Sequence, residues 1–291
     1  MVIKSIITLL VLVVSCTVCA GDNVWISPLD SSTWVFFGSK TECVISHDVE
    51  GFGVVKIIAE AGVGTRLEII SKELKNLTDD HSVDSMPAYW AVEKVNNINY
   101  QGNVSFSLLT SELVFNNADE VFERLDQGEW IKIGLNGHGQ KNDTVVISNV
   151  NFELPAKRFL SCKDDLILLN YQQVRSSEFY YPSGSTLVSK LDIRTAYGIA
   201  EYVKVIRSIK KVLIDGYSDS QGRSTVNLRI SRERAEEMAA LLIEFGVPQK
   251  MIQIRSHGDR YPIADNALAD GRKKNRRVTV RLIKNSAAGV Q

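Results

Sequence analysis

The sequence predicts a chain of two domains. The first is mostly antiparallel β, sandwich- or barrel-like with one helix. The second is a two-layer α/β sandwich. Three observations carry this reading. Before residue 160, short runs rich in β-branched and aromatic residues are punctuated by Gly, Asp and Ser. After Cys162, long stretches with helical apolar spacing alternate with strands. Cys43 and Cys162 bracket the first region.

The 291 residues suffice for two domains, and the 44% hydrophobic content can build two cores. Lys+Arg and Asp+Glu balance at 34 each, so overall charge points to neither nucleic acid nor a membrane surface as partner.

Residues 1–20 have the layout of a signal peptide. Lys4 is the positive region, Ile6 to Val14 is apolar apart from Thr8, and Val18-Cys19-Ala20 supplies the cleavage site. A rival reading takes Val13-Val14-Ser15-Cys16 as a lipoprotein box, with Cys16 lipidated. Cleavage after Ala20 also accounts for the polar Gly21-Asp22 that follows. No other stretch approaches 18 apolar residues, so the mature chain is expected to be exported without a transmembrane segment. Once Cys16 and Cys19 are removed, Cys43 and Cys162 remain. Two cysteines in an oxidising compartment predict a disulfide, the alternative being two buried thiols. Such a bridge would close a long loop and contribute about 4–5 kcal/mol.

The first domain, residues 21–165, reads as successive strands: VWISPLD, STWVFFGS, ECVISHDV, GVVKIIAE and TRLEIIS, then Asn103 to Leu109, Trp130 to Leu135 and Thr144 to Phe152. Its one expected helix is Ala118 to Leu125. His47, His81 and His138 are scattered, with no Cys or carboxylate at ligand spacing, so no metal or cofactor is expected. Gly137-His138-Gly139 reads as a hairpin turn. No nucleophile, acid pair or zinc motif marks an active site, which argues against a hydrolase.

The second domain, residues 166–285, follows a connecting stretch, Lys163 to Ser177. A helix is expected from Leu187 to Ile209, with an apolar stripe through Leu187, Leu191, Ile193, Ala196, Ile199, Ala200, Val203 and Ile206. Lys211 to Gly216 is a strand. Asn227 to Phe245 is a second helix, with a stripe through Leu228, Ala235, Met238, Ala239 and Leu242, stopped by Gly246 and Pro248. Met251 to Arg255 and the alternating Arg277 to Ile283 complete a sheet with helices on one face. Residues 286–291 read as a loose tail.

One constellation stands out. Asp219 follows the strand that ends at Gly216, at the edge where open α/β sheets bind ligands. Asn227, Ser231 and Arg234 share one face of the next helix at i, i+4 and i+7. An acid and an arginine converging on a cleft suit a zwitterion: the carboxylate takes an ammonium, and the guanidinium takes a carboxylate as a fork. Spacing alone equally allows Asp219 to pair with Arg234, or to cap a turn. The run Arg272-Lys273-Lys274-Asn275-Arg276-Arg277 reads as a solvated loop rather than a nucleic-acid site.

Residues 179–283 resemble the OmpA-like peptidoglycan-binding domain. The matching residues are Gly216-Tyr217-Ser218-Asp219 with Gly222, Asn227-Leu228, Ser231, Arg234-Ala235, Gly258-Asp259, Pro262-Ile263-Ala264-Asp265-Asn266, Gly271-Arg272 and Asn275-Arg276-Arg277-Val278. The resemblance implies a wall ligand, the stem peptide's diaminopimelate. Asp219 and Arg234 would be its main contacts, Asn227 and Leu228 would supply backbone or amide contacts, and Arg276 would rank second. Two departures stand: Tyr217-Ser218 replaces the usual His-Thr, and Tyr180-Tyr181-Pro182 replaces an acidic end to the first strand.

In the first half, Trp34, Cys43, His47, Gly51-Phe52-Gly53, Met86-Pro87 and Tyr89-Trp90 resemble the N-terminal domain of the MotY family, periplasmic ring proteins of sodium-driven polar flagellar motors. That implies a non-enzymatic, structural role. The first domain would assemble with a MotX-like protein around the flagellar basal body and support the sodium-driven stator complex, while the second grips peptidoglycan. The competing class is a general envelope anchor unrelated to motility.

Overall fold

The computed structural model describes residues 23–74, 77–91, 103–107, 109–137 and 142–284. The expected export signal, the His138 turn and the C-terminal tail lie outside them.

In the first domain the strands are β1 (Val24–Ile26), β2 (Trp34–Gly38), β3 (Glu42–Val49), β4 (Gly53–Glu60), β5 (Gly64–Ile70), β6 (Leu77–Met86), β7 (Val104–Ser107), β8 (Glu112–Asn116), β9 (Trp130–Gly137) and β10 (Asn142–Ile147). They form two sheets. One has six antiparallel strands in the order β2-β3-β4-β5-β8-β7. The other has four, β1-β10-β9-β6, with only β1 parallel to its neighbour. Alternation along β3 and β4 sends Cys43, Ile45, Val55, Ile57 and Ala59 into a core shared with Ile131, Ile133 and Val145 of the second sheet.

Two helices of the domain pack on this core, not one. Helix α1 (Asp119–Asp126) falls where its 118, 121, 122 and 125 spacing places it, burying Val121, Phe122 and Leu125. Helix α2 (Glu153–Asp164) corrects the single-helix expectation. Its apolar stripe is thin: Ala156 and Phe159 are buried, whereas Leu154 and Leu160 are exposed. Pro155 sits in its first turn, where no helical N–H is needed. Cys162, near the end of α2, is bonded to Cys43 on β3 across 119 residues, with Cα atoms 6.0 Å apart.

The connecting stretch is ordered against both halves. Ile167 N–H donates to the Lys40 carbonyl. A short helix α3 (Tyr171–Val174) is capped by Asn170, and Gln173 Nε2 donates to the Gly62 carbonyl at 3.0 Å. Ala61, beside it in the β4–β5 turn, is buried within the second core.

The second domain runs β11 (Ser176–Tyr180), α4 (Lys190–Val205), β12 (Ile209–Gly216), α5 (Ser224–Glu244), β13 (Ile252–Ser256), α6 (Ala269–Asn275) and β14 (Arg277–Lys284). The sheet order is β11-β14-β12-β13, with β12 and β13 parallel and the other pairs antiparallel. Phe179, Val212, Ile214, Val278 and Val280 face α4 and α5. The helix expected from Leu187 begins later, behind a Ser189 cap whose hydroxyl accepts from Asp192 N–H. Leu187 therefore precedes the helix and is exposed. Leu191, in the first turn, is exposed too, and the buried stripe is Ala196, Ile199, Ala200 and Val203. Ile209 belongs to β12 instead.

Candidate functional site

The strand β12 ends at Gly216, and this residue sets how close α5 can lie. A Cβ there would overlap the Ser231 carbonyl oxygen, so glycine lets the helix sit directly on the strand end. Ser231 pins the adjoining loop: its hydroxyl donates to the Leu228 carbonyl (2.8 Å) and accepts from Gly258 N–H (3.0 Å). The chain leaving β12 then carries Tyr217, Ser218 and Asp219 across the start of α5.

Arg234 is held inside this corner and is 1% exposed. Its Nε donates to the Ser185 carbonyl (2.8 Å), Nη2 to Pro182 (3.1 Å) and Nη1 to Tyr217 (3.3 Å). Tyr181 lies against the guanidinium, 5.1 Å from its ring centroid. No carboxylate pairs with Arg234 among the described residues. Three of its five N–H groups are engaged, and the other two carry no hydrogen bond there. Burial pulls its pKa down to about 10, with Tyr181 and Asp219 opposing and Arg276 adding to the fall. Burial likewise pushes the Tyr181 phenol well up, and its hydroxyl has no partner.

Asp219 does not pair with Arg234. Its Oδ2 accepts from Arg276 Nη1 at 2.7 Å, and its Oδ1 accepts from Gln221 N–H at 3.1 Å. The turn-capping alternative therefore holds in part. Arg276 Nε also donates to the Tyr181 carbonyl (3.0 Å). Asn227 is 4% exposed, and its Nδ2 has no hydrogen-bond partner among the described residues. Leu228, expected in the core stripe, is 38% exposed, with its backbone N–H close to Gly258. Below the site, Asn275 holds the 262–266 loop. Its Oδ1 accepts from Ile263 and Ala264 N–H, and its Nδ2 donates to Ala264 O and Asn266 Oδ1.

Of the five candidate contacts, Asp219, Arg276 and Arg234 gather around Tyr181, while Asn227 and Leu228 lie near the start of the helix that carries Arg234. Sequence reasoning missed the seat of Arg234, because Pro182, Ser185 and Tyr217 contribute backbone oxygens that no side-chain pattern encodes. It also missed a second charged cluster on the opposite sheet face. Asp215, 1% exposed, is contacted by Arg255 (2.7 Å), His257 (2.8 Å) and Arg281 (2.8 Å). Burial would raise its pKa, but hydrogen bonds from Arg255, His257 and Arg281 outweigh that and hold it low. Tyr217 stacks on His257 with ring centroids 4.7 Å apart, and the Arg277 guanidinium carbon lies 3.9 Å from the Tyr217 ring centroid.

Among the described residues no helix is long and apolar enough to cross a membrane, and no cluster of His, Cys, Asp and Glu could hold a metal. Comparison with known proteins finds two separate matches along the chain. Residues 25–167 match the MotY N-terminal domain, and residues 180–276 match the OmpA family. The sodium-type flagellar protein MotY of Vibrio parahaemolyticus is 23% identical over 264 residues, 88% of each chain. The outer-membrane lipoprotein YfiB of Pseudomonas aeruginosa is 40% identical over 72 residues, 25% of this chain and 43% of that protein. A crystal structure of the peptidoglycan-associated lipoprotein from Burkholderia pseudomallei is 25% identical over 36% of this chain and 89% of that one, with a TM-score of 0.35. The chain thus joins a region that matches the MotY N-terminal domain to a region that matches the OmpA family, and over most of its length it is similar to a sodium-type flagellar MotY protein.

Proposed function

We propose that this protein is a periplasmic structural part of a flagellar motor, exported by residues 1–20, whose second domain (166–285) holds peptidoglycan non-covalently through diaminopimelate. One observation carries the wall site: Arg234 is a buried cation seated on three carbonyls, with two N–H groups and no carboxylate. A buried charge without a counter-ion is costly unless a ligand supplies one. The side-arm carboxylate of diaminopimelate would take the two free N–H groups as a fork. Its ammonium would go to Asp219, which would exchange or share Arg276. The Asn227 amide and the partly exposed Leu228 would hold the peptide beside them.

The first domain (21–165) would assemble with a MotX-like protein into a ring on the basal body and help stator units stay at the motor. Support comes from the match of residues 25–167 to the MotY N-terminal domain. Purified protein sedimented with isolated peptidoglycan tests the wall site. Asp219→Ala and Arg234→Ala should each greatly weaken sedimentation while circular dichroism stays native. Full retention by both would refute the assignment. For the motor role, a deletion strain should be flagellated but swim poorly, and a normally swimming deletion strain would refute it.

A further inference from the structure

We propose that the free edge of β2 receives an extended segment of a partner protein, which adds to the six-stranded sheet as a further strand. This deepens, and rests on, the reading of the first domain as the assembly domain.

The sheets of that domain have four edges, and three are protected. Strand β1 has only three residues and β7 only four. Strand β6 breaks register between Leu77 and His81. Short edges and irregular register are ordinary defences against unwanted pairing. Strand β2, Trp34–Gly38, has neither of these two defences, although helix α2 packs beside it. The strand is uncharged, lacks proline, and pairs with β3 in unbroken register.

The edge has the polarity an extended backbone requires. Ser39 N–H donates to the Glu42 carbonyl, which fixes the alternation along the pair. The backbone groups of Phe36 and Gly38 then point away from β3. Among the described residues no helix, loop or side chain hydrogen-bonds them. A strand meets a row of such groups, whereas an apolar helix would leave them unpaired.

Side chains specify what kind of strand. Trp34 and Phe36 turn into the core, but Val35 and Phe37 stand on the outer face, 61% and 63% exposed. Across the sheet the row runs Phe37, Val44, Ile58, each opposite the next. The row stops at Phe37 for want of a neighbour, so the arriving strand would carry apolar residues at alternate positions. Helix α2 flanks the edge, leaving a groove lined by Leu154, Lys157, Arg158 and Ser161. Lys157 is paired with Glu153 at 2.6 Å. Arg158 is exposed and has no ion-pair partner among the described residues. An acidic residue in the segment would meet it.

The test measures binding of full-length protein, disulfide intact, to a purified MotX-like protein. Val35→Lys and Phe37→Lys sit on the solvent face and should fold, yet each should weaken binding about 10-fold or more. Arg158→Glu should weaken it less and increase its dependence on salt. Leu160→Lys, on the same helix but outside the groove, should bind like the unaltered chain. Equal binding by the edge variants while the unaltered chain binds would overturn the edge proposal alone. Failure of the unaltered chain to bind would overturn the assembly reading and the edge with it. Light scattering gives the third arm: a dimer abolished by Phe37→Lys would mean that a second copy, not a partner, occupies the edge, and would also overturn the proposal.

Discussion

Two of the charged side chains buried in the second domain, Asp215 and Arg234, lie on opposite faces of one sheet, and their surroundings differ in kind. Asp215 is met by Arg255, His257 and Arg281, so its charge is answered within the protein. Arg234 is met by carbonyl dipoles and an aromatic ring, with no carboxylate. A satisfied cluster contributes stability. An unsatisfied one sits at higher free energy until something binds. On the proposed reading, the first is a structural cluster and the second is a ligand site.

Substitutions should separate them in the same way. The largest expected effect is on wall binding by Arg234→Met, which removes the charge while roughly keeping the volume. Loss of two charge-assisted hydrogen bonds predicts weakening of at least about 100-fold in peptidoglycan sedimentation. Stability should move by no more than about 1 kcal/mol, because removing a buried cation offsets three orphaned carbonyls. A strongly destabilised variant in chemical denaturation would mean that Arg234 is structural.

Asp215→Asn should do the reverse. It leaves two arginines and His257 around a neutral amide, at a cost of about 2 kcal/mol, below the range for fully buried pairs because the arginines can turn to water. Wall binding should be unchanged. The pH dependence has a definite sign. The folded-state pKa of Asp215 is held below its ordinary value of 3.8, so its stabilisation is complete above that value and is lost as pH falls through the folded pKa. Acid unfolding of the Asn variant should lack this component.

The smallest effect belongs to the first domain. His47 is buried, stacks on Trp34 at 4.8 Å, donates from Nδ1–H to Thr33 O, and has no partner for Nε2 among the described residues. Burial lowers its pKa from the ordinary 6.5. Protonation then favours the unfolded chain, so stability should hold above pH 6.5 and decline as pH falls below it. His47→Gln should flatten that decline in denaturant melts of the first domain, and an unchanged slope would exclude His47 as its source.

What the sequence disclosed follows from which interactions are local. The spacing of Asn227, Ser231 and Arg234 put them on one helical face, and the alternation of β14 named its buried side. The pairing of Asp219 with Arg276 joins residues 57 positions apart, and no local pattern announces it. Asp215 reads as an unremarked polar residue until β13 and β14 bring their arginines across it. Helix α2 escaped because Leu154 and Leu160 break its apolar periodicity and Pro155 mimics a loop. Tyr181 was legible as a departure, but its role as a wall of the Arg234 seat required the fold.

The central claim is that Arg234 waits for a carboxylate. It is tested most directly by titrating the full-length protein with two soluble stem peptides, one carrying diaminopimelate and one carrying lysine in its place. Lysine keeps the ammonium and lacks the side-arm carboxylate. The diaminopimelate peptide should bind about 100-fold more tightly, and Arg234→Met should erase the difference by weakening only that peptide. Equal affinity for the two peptides, or a preference that survives Arg234→Met, would contradict it.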